Sequence, residues 1–284
     1  MRSTTRDTRA QEGRPRGRVA RHVDPQRKLH VRALLVGVAL ALVAAAVLTV
    51  VIVMQRQPLL VDNFSGSNGL VTNEFAYFNQ HSPAAVRSPT WIVTSGSLFV
   101  HDNAGWTGVP DRGLPGPRSA STTDSSVFRA VTRRSDFQNV TVSFGLLVQR
   151  FVPAPNGQTP GWQGVHVFLR YQSPSLLYVV SVDRYDGVIV IKKKVPGGPV
   201  DGGTYYTLAT VNGTSVAGKW EQVRVSAVNK GDSVDIMLWL DGRLRLQAID
   251  SGAGDTPPIT APGKVGIRGD YTEFEFNHFT VSKA

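Results

Sequence analysis

The 284-residue sequence predicts an all-β fold: an antiparallel β-sandwich of the jelly-roll kind, preceded by one transmembrane helix and a disordered basic tail. Three observations predict it. Apolar and polar residues alternate with period two in run after run between Val140 and Val281, the pattern of half-buried strands. Turn-forming pairs such as Asp186-Gly187 and Asp241-Gly242 separate these runs, and Asp-Gly suits the positive φ of tight hairpins. Residues 33–54 carry no charge at all, over a length that at ~1.5 Å per residue crosses a bilayer core of ~30 Å.

The flanks of the apolar run set its orientation. Residues 1–32 hold ten Lys or Arg against three acidic residues, a net +7 of the chain's formal +10. Beyond the run the nearest charge is Arg56. The positive-inside rule then puts residues 1–32 in the cytoplasm and the C-terminal bulk outside the plasma membrane, as a single-pass protein. A cleaved signal peptide is the competing reading. Its small residues, Ala44, Ala45 and Ala46, lie mid-run, and the apolar stretch exceeds the usual ~7–15 residues, which favours an uncleaved signal anchor. The tail has no apolar period and reads as disordered. Its charge suits anionic lipid headgroups, and only +3 remains for the rest of the chain, so no nucleic-acid partner is expected. Residues 55–58 form a short linker, and 59–284 form one extracytoplasmic domain. Cysteine is absent, which excludes disulfides and cysteine-ligated zinc or iron–sulfur sites. The domain is large enough to bury a core without them. The large exported domain and the anchor suggest a bacterial cell-envelope protein, and the Arg-, Ala-, Val- and Gly-rich composition suits a high-GC organism.

The strands follow in order. Alternating runs cover 140–144, 165–170, 176–182, 188–195, 205–211, 220–228, 234–240, 244–249, 264–268 and 274–281. Besides the two Asp-Gly turns, Asn229-Lys230-Gly231-Asp232 joins a third pair. Alternation places Val167 in the core, and Trp220 is expected beside it. Residues 82–126 are rich in Pro, Ser and Thr and read as long loops with a short hairpin over 91–94 and 97–101. A second loop, 153–164, carries three prolines and two interior glycines. Long loops on a rigid sandwich are where binding groups concentrate.

The order of several short motifs resembles the concanavalin A-like lectin/glucanase superfamily, including laminin-G-like and 3-keto-disaccharide-hydrolase-like domains. The motifs are Gly164-Val165-His166-Val167-Phe168-Leu169-Arg170-Tyr171, Leu177-Tyr178-Val179-Val180, Gly218-Lys219-Trp220-Glu221-Gln222-Val223-Arg224-Val225, Leu240-Asp241-Gly242-Arg243, Gly263-Lys264-Val265-Gly266-Ile267-Arg268 and Phe274-Glu275-Phe276-Asn277-His278-Phe279-Thr280-Val281. The resemblance spans about residues 59–282. It implies two antiparallel sheets, with the first and last strands paired near one edge, and it implies a fold more than an activity.

Glycanases of this superfamily carry a Glu-x-Asp-x-x-Glu strand, in which one carboxylate attacks the sugar and another donates a proton. Only Glu74, Glu221, Glu273 and Glu275 follow the apolar run, and none has that spacing. Glu273 and Glu275 share one face of a strand; an acid pair and a solvated outer face, with Phe274 and Phe276 inward, are the two readings, and the second is favoured. No Gly-x-Ser-x-Gly, phosphate-binding loop or His-Glu-x-x-His is present. The sequence leans away from an enzyme and assigns no catalytic residue.

Alternation also assembles one polar face. With Val165, Val167, Leu169, Tyr178, Val180, Ile189 and Ile191 inward, the residues His166, Arg170, Ser181, Asp183, Lys192 and Lys194 share the opposite side if the three strands are neighbours. His166, Arg170, Asp183, Lys192 and Lys194, with loop aromatics Trp106 and Trp162, are therefore the candidate ligand site on an exposed, concave face. Aromatic rings stack on sugar C–H faces, and two lysines with an arginine favour an anionic polymer. An ordinary wet sheet face is the alternative. The resemblance also suggests a structural calcium between the chain ends, with Asp62, Asp270 and Asn277 as candidate ligands. The expected function is a membrane-anchored extracytoplasmic carbohydrate-binding module for a glycan or cell-wall polymer. The alternatives are a glycan-cleaving enzyme, either a glycoside hydrolase or a polysaccharide lyase, the lyase drawing on His166, Arg170, Tyr171 and Lys192, and an envelope protein-interaction domain.

Overall fold

Alternating side chains can bury only one face of a strand, so two such sheets must meet face to face. The computed structural model describes residues 42–43, 57–74, 83, 85–108, 127–154, 157–200 and 202–284. Arg56–Ala284 forms a compact unit of sixteen strands among the described residues: β1 (Leu60–Asp62), β2 (Gly69–Thr72), β3 (Trp91–Ser95), β4 (Leu98–His101), β5 (Ala104–Trp106), β6 (Val127–Thr132), β7 (Val140–Phe151), β8 (Gly164–Ser173), β9 (Leu176–Arg184), β10 (Val188–Val200), β11 (Gly203–Asn212), β12 (Trp220–Lys230), β13 (Ser233–Leu240), β14 (Arg243–Asp250), β15 (Lys264–Asp270) and β16 (Thr272–Lys283). Apart from Leu42 and Val43, the expected tail and membrane segment, 1–54, lie outside the described residues. Among the described residues no helix is long and apolar enough to cross a membrane.

Every strand pairing is antiparallel. One sheet runs β14-β13-β12-β7-β16-β5-β4-β2, with β1 also on β16; the other runs β11-β10-β9-β8-β15-β6-β3. The first and last strands pair, Leu60 opposite Val281, but not at the expected edge, because β16 lies inside its sheet between β7 and β5. The expected hairpin over 91–101 takes a different form. Trp91–Ser95 joins the seven-stranded sheet and Leu98–His101 the nine-stranded one, so the chain crosses between layers there.

The core lies between the sheets. Val165, Val167 and Leu169 of β8 meet Val142, Phe144 and Leu146 of β7 in one buried cluster. Trp91 packs edge-on to Phe279 at 4.9 Å, and Phe64 edge-on to Phe276 at 4.9 Å. Val167 is buried, as alternation requires, but Trp220 is 45% exposed. The strand phase explains the correction. On β12 the inward residues are Glu221, Val223 and Val225, so Trp220 falls on the outward side with Gln222 and Arg224.

Two charged groups lie fully inside the sandwich. Lys193 of β10 faces the core with Ile189 and Ile191, and its Nζ meets Asp250 Oδ2 of β14 at 3.1 Å. The ammonium also donates to the carbonyls of Ala253, Thr256 and Pro257. Asp250 accepts from Tyr178 Oη at 2.6 Å and from the N–H groups of Gly252 and Ala253. Burial opposes ionisation of Asp250, but these donors together lower its pKa. The network joins the two sheets and folds the 251–259 segment over their end. Asp250→Ala leaves a buried ammonium without its counter-ion and is expected to cost about 3–5 kcal/mol in urea unfolding. Lys193→Met combined with Asp250→Leu removes both charges and should cost less than the single change.

Candidate functional site

A cleft of about 280 Å³ opens on the outer face of the seven-stranded sheet, near the lower end of the ~300–1,000 Å³ range of small-ligand sites. Its floor comes from four adjacent strands. His166 of β8, Ser181 of β9, Lys192 of β10 and Asp270 of β15 all line it, with Trp162 from the loop before β8 and Tyr205 from β11. Each follows from period two: the neighbours Val165, Val167, Val180, Ile191 and Ile267 turn inward and are buried.

A β-bulge then changes the phase of β9. Val165 pairs with Asp183 while the next residue, His166, pairs with Ser181, so Val182 is the extra residue. An extra residue inverts every side chain beyond it. Asp183, expected on the ligand face, therefore points between the sheets, and Arg184 takes its place in the cleft. Gly164 permits the close strand approach here: its φ is 145°, and a Cβ would lie 2.1 Å from Asp183 O.

Arg170 is also a correction. A second irregularity lies between Leu169 and Ser173, and Arg170 adopts φ 50°. Its guanidinium is buried and donates to Gln138 O, Ile259 O, Asn229 Oδ1 and Asn139 Oδ1. It ties loops together and is not available to a ligand. Tyr171 is buried against Phe168. Lys194 keeps the predicted face but is 1% exposed; its ammonium donates to Pro174 O and lies 5.0 Å over the Tyr205 ring. Trp106 stands on the other sheet, where its Nε1 donates to Glu273 Oε1.

The floor of the cleft is one hydrogen-bonded chain. Ser181 Oγ lies 2.8 Å from His166 Nδ1, and His166 Nε2 lies 3.2 Å from Asp270 Oδ2. Asp270 Oδ1 takes both Nε and the terminal nitrogen of Arg268, at 2.9 and 2.7 Å. Burial pushes the His166 pKa down more strongly than Asp270 raises it. Burial also opposes ionisation of Asp270, but the Arg268 guanidinium, with His166, holds that carboxyl well below the usual range. A neutral ring donating from Nε2 and accepting at Nδ1 satisfies both partners. The order Ser–His–Asp is that of an acyl-transfer triad. Here Ser181 is nearly fully buried, and its backbone is paired with His166 on one side and Val190 on the other.

The acid pair and the calcium site resolve differently from each other. Phe274 and Phe276 point inward as expected. Glu273 and Glu275 are not solvated, however. Glu273 pairs with Arg150 and Trp106, and Glu275 with His101 and Gln149, on the outer face of the nine-stranded sheet. Asp62 accepts from Trp91 Nε1 and Phe64 N at one end of the sandwich. Asn277 stands against Gly145, and Asp270 lies in the cleft. The three thus stand on different elements with partners of their own, and no group of three His, Cys, Asp or Glu side chains that could hold a metal occurs among the described residues. Sequence reasoning missed Arg184, Tyr205 and Arg268 in the cleft.

No family model matches the chain, and no curated protein matches it. Solved structures do. One comes from work on endo-acting O-glycanases of the human gut microbiota, with TM-score 0.50, 10% identity, and 80% of this chain and 100% of that one covered. Another is the carbohydrate-binding module CBM66 from Bacillus subtilis, with TM-score 0.47, 13% identity, and 68% and 94% covered. A third is an endo-1,3-β-glucanase from Streptomyces sioyaensis, with TM-score 0.44, 14% identity, and 80% and 96% covered. At such identities the likeness is one of fold. What the chain shares with them is a sandwich of two antiparallel sheets.

The depressed His166 pKa has a sign. The unfolded ring, near the ordinary 6.5, takes a proton before the folded one does. Its contribution to stability is therefore complete above that value and is lost as pH falls through the folded pKa. Glu221 acts with the opposite sign over the same range, so the test is a difference: the stability of the parent chain relative to His166→Gln should fall as pH drops through about 6.5. Equal slopes in urea titrations would contradict this.

Proposed function

We propose that the chain is a glycan-binding module whose cleft on the seven-stranded sheet takes an anionic saccharide. Lys192 carries the proposal. Of three cationic side chains lining the cleft, Arg268 is matched by Asp270 and Arg184 by Asp186. Lys192 makes no hydrogen bond or ion pair among the described residues; its Nζ stands 5.7 Å from the centre of the Tyr205 ring. Partial burial and Arg184 lower its pKa, so a ligand carboxylate or sulfate would supply the missing counter-charge. Trp162 is 47% exposed at the cleft edge, where an indole face can stack on a sugar ring. The glycan-associated descriptions of the structural neighbours are consistent with this reading. We place the module outside the plasma membrane, held by the apolar segment 33–54; the basic tail supports that orientation.

Cleavage is less favoured. Glycoside hydrolysis needs two carboxyls flanking the bond, and the cleft contains Asp270, already engaged by Arg268 and His166. A lyase needs a base with a free site, and both nitrogens of His166 are engaged.

An array of neutral and acidic oligosaccharides tests the proposal. Acidic ligands should bind, with affinity falling as salt rises. Lys192→Ala should weaken binding about tenfold, or ~1.4 kcal/mol, and flatten the salt dependence. Trp162→Ala should weaken acidic and neutral analogues alike. Binding that ignores charge, or that survives both substitutions, would contradict the assignment.

A further inference from the structure

The bulge that removes Asp183 from the cleft delivers its carboxylate to a different place. A second cavity, of about 270 Å³, lies at the same end of the sandwich, between β9, the start of β12 and the segment after β11. Asp183 and Glu221 both line it, and they are 5% and 7% exposed. Both oxygens of Asp183 and Oε2 of Glu221 are buried without a hydrogen-bond partner. Burial pushes the Asp183 carboxyl up, and Ser215 and the Val216 N–H beside it offset that only in part. Buried acceptors of this kind are paired in native proteins, and an unpaired buried carboxylate is costly.

The surrounding cations do not meet this need. Arg184, at the rim, is held by Asp186. Arg245 is exposed and makes no ion pair with either carboxylate. Asp241 adds a further negative charge near Glu221. Burial, then Asp183 and Asp241, push the Glu221 carboxyl up to about 7.

We propose that Asp183 and Glu221 hold a divalent cation of calcium's class in this cavity between the sheets. The donor set is all oxygen, with no His or Cys among the lining residues, which disfavours zinc. Gly213 and Thr214 also line the space and bring backbone and hydroxyl oxygens. The volume leaves room for coordinating waters. Two carboxylates, neutral oxygens and water in an irregular shell are what calcium accepts and what magnesium, with its strict octahedron, accepts poorly. The ion would fix the bulged end of β9, and so the position of Arg184 in the cleft.

The test is calcium titration of the chelator-treated full chain, read by calorimetry and by thermal unfolding. One ion per chain, a Tm that rises with calcium and falls back with EDTA, and little response to magnesium are expected. Asp183→Asn with Glu221→Gln should abolish the response, with a Tm in EDTA no lower than that of the unmodified chain. If the double variant does not fold, Glu221→Gln alone should weaken calcium at least about tenfold. No uptake at millimolar calcium would overturn the proposal, as would uptake unchanged in the variants. Variants that raise stability above neutral pH, in a chain that takes no calcium, would mean that the pair holds only a proton and would overturn it too.

Discussion

Lys193 brings a positive charge into the interior of the sandwich, and Asp250 meets it there. Much of the site depends on that contact. The residues on either side, Lys192 and Lys194, must then face outward, because side chains alternate. A shift of β10 by one residue would strip Lys193 of its carboxylate and three carbonyls and would bury Lys192 unpaired. The desolvation penalty thus fixes the register of β10 more firmly than the apolar residues alone would. The same network draws the 251–259 segment over the sheet ends, where Ile259 O receives Arg170 and Ile259 N donates to Tyr178. One buried ion pair joins the two layers, sets a strand phase and leaves a single ammonium facing the cleft.

The cleft itself is a hydrogen-bonded floor with one unpaired charge beside it. Ser181, His166, Asp270 and Arg268 satisfy one another and leave little chemistry to spare. Lys192 and Trp162 are the groups with unused capacity: one offers charge, the other an exposed ring. That division suits recognition better than catalysis, since a binding surface gains from preorganised polar groups and catalysis needs a base or nucleophile that can change state.

Much of the sandwich was legible in the sequence because period two is a strong local signal. The strand runs and the inward Phe274 and Phe276 follow from it; the Asp-Gly turns follow from their φ preference, and the pairing of the chain ends was what the family resemblance implied. His166, Ser181 and Lys192 were legible from period two as well. Asp183 and Arg170 were not, because each sits at a bulge, and a bulge is a long-range agreement between strands with almost no local mark. The positive φ at Arg170 and the crowding at Gly164 appear only once the neighbouring strand is in place. Arg268 and Asp270 alternate correctly with Ile267, but nothing local says that β15 lies beside β8. Trp220 was misplaced because its bulk outweighed its phase: Glu221, not the indole, shares the parity of Val223 and Val225.

The central claim is that a saccharide occupies the cleft on the seven-stranded sheet. The five tryptophans make it testable in one spectrum, since Trp91 is in the core, Trp106 on the nine-stranded sheet, Trp162 at the cleft, and Trp220 and Trp239 on β12 and β13. Indole N–H resonances of ¹⁵N-labelled protein, followed during titration with an acidic oligosaccharide, report each place separately. The account predicts a saturable shift of Trp162 with Trp106, Trp220 and Trp239 unmoved. A shift of Trp106 with Trp162 unmoved would place the ligand on the opposite sheet and contradict it.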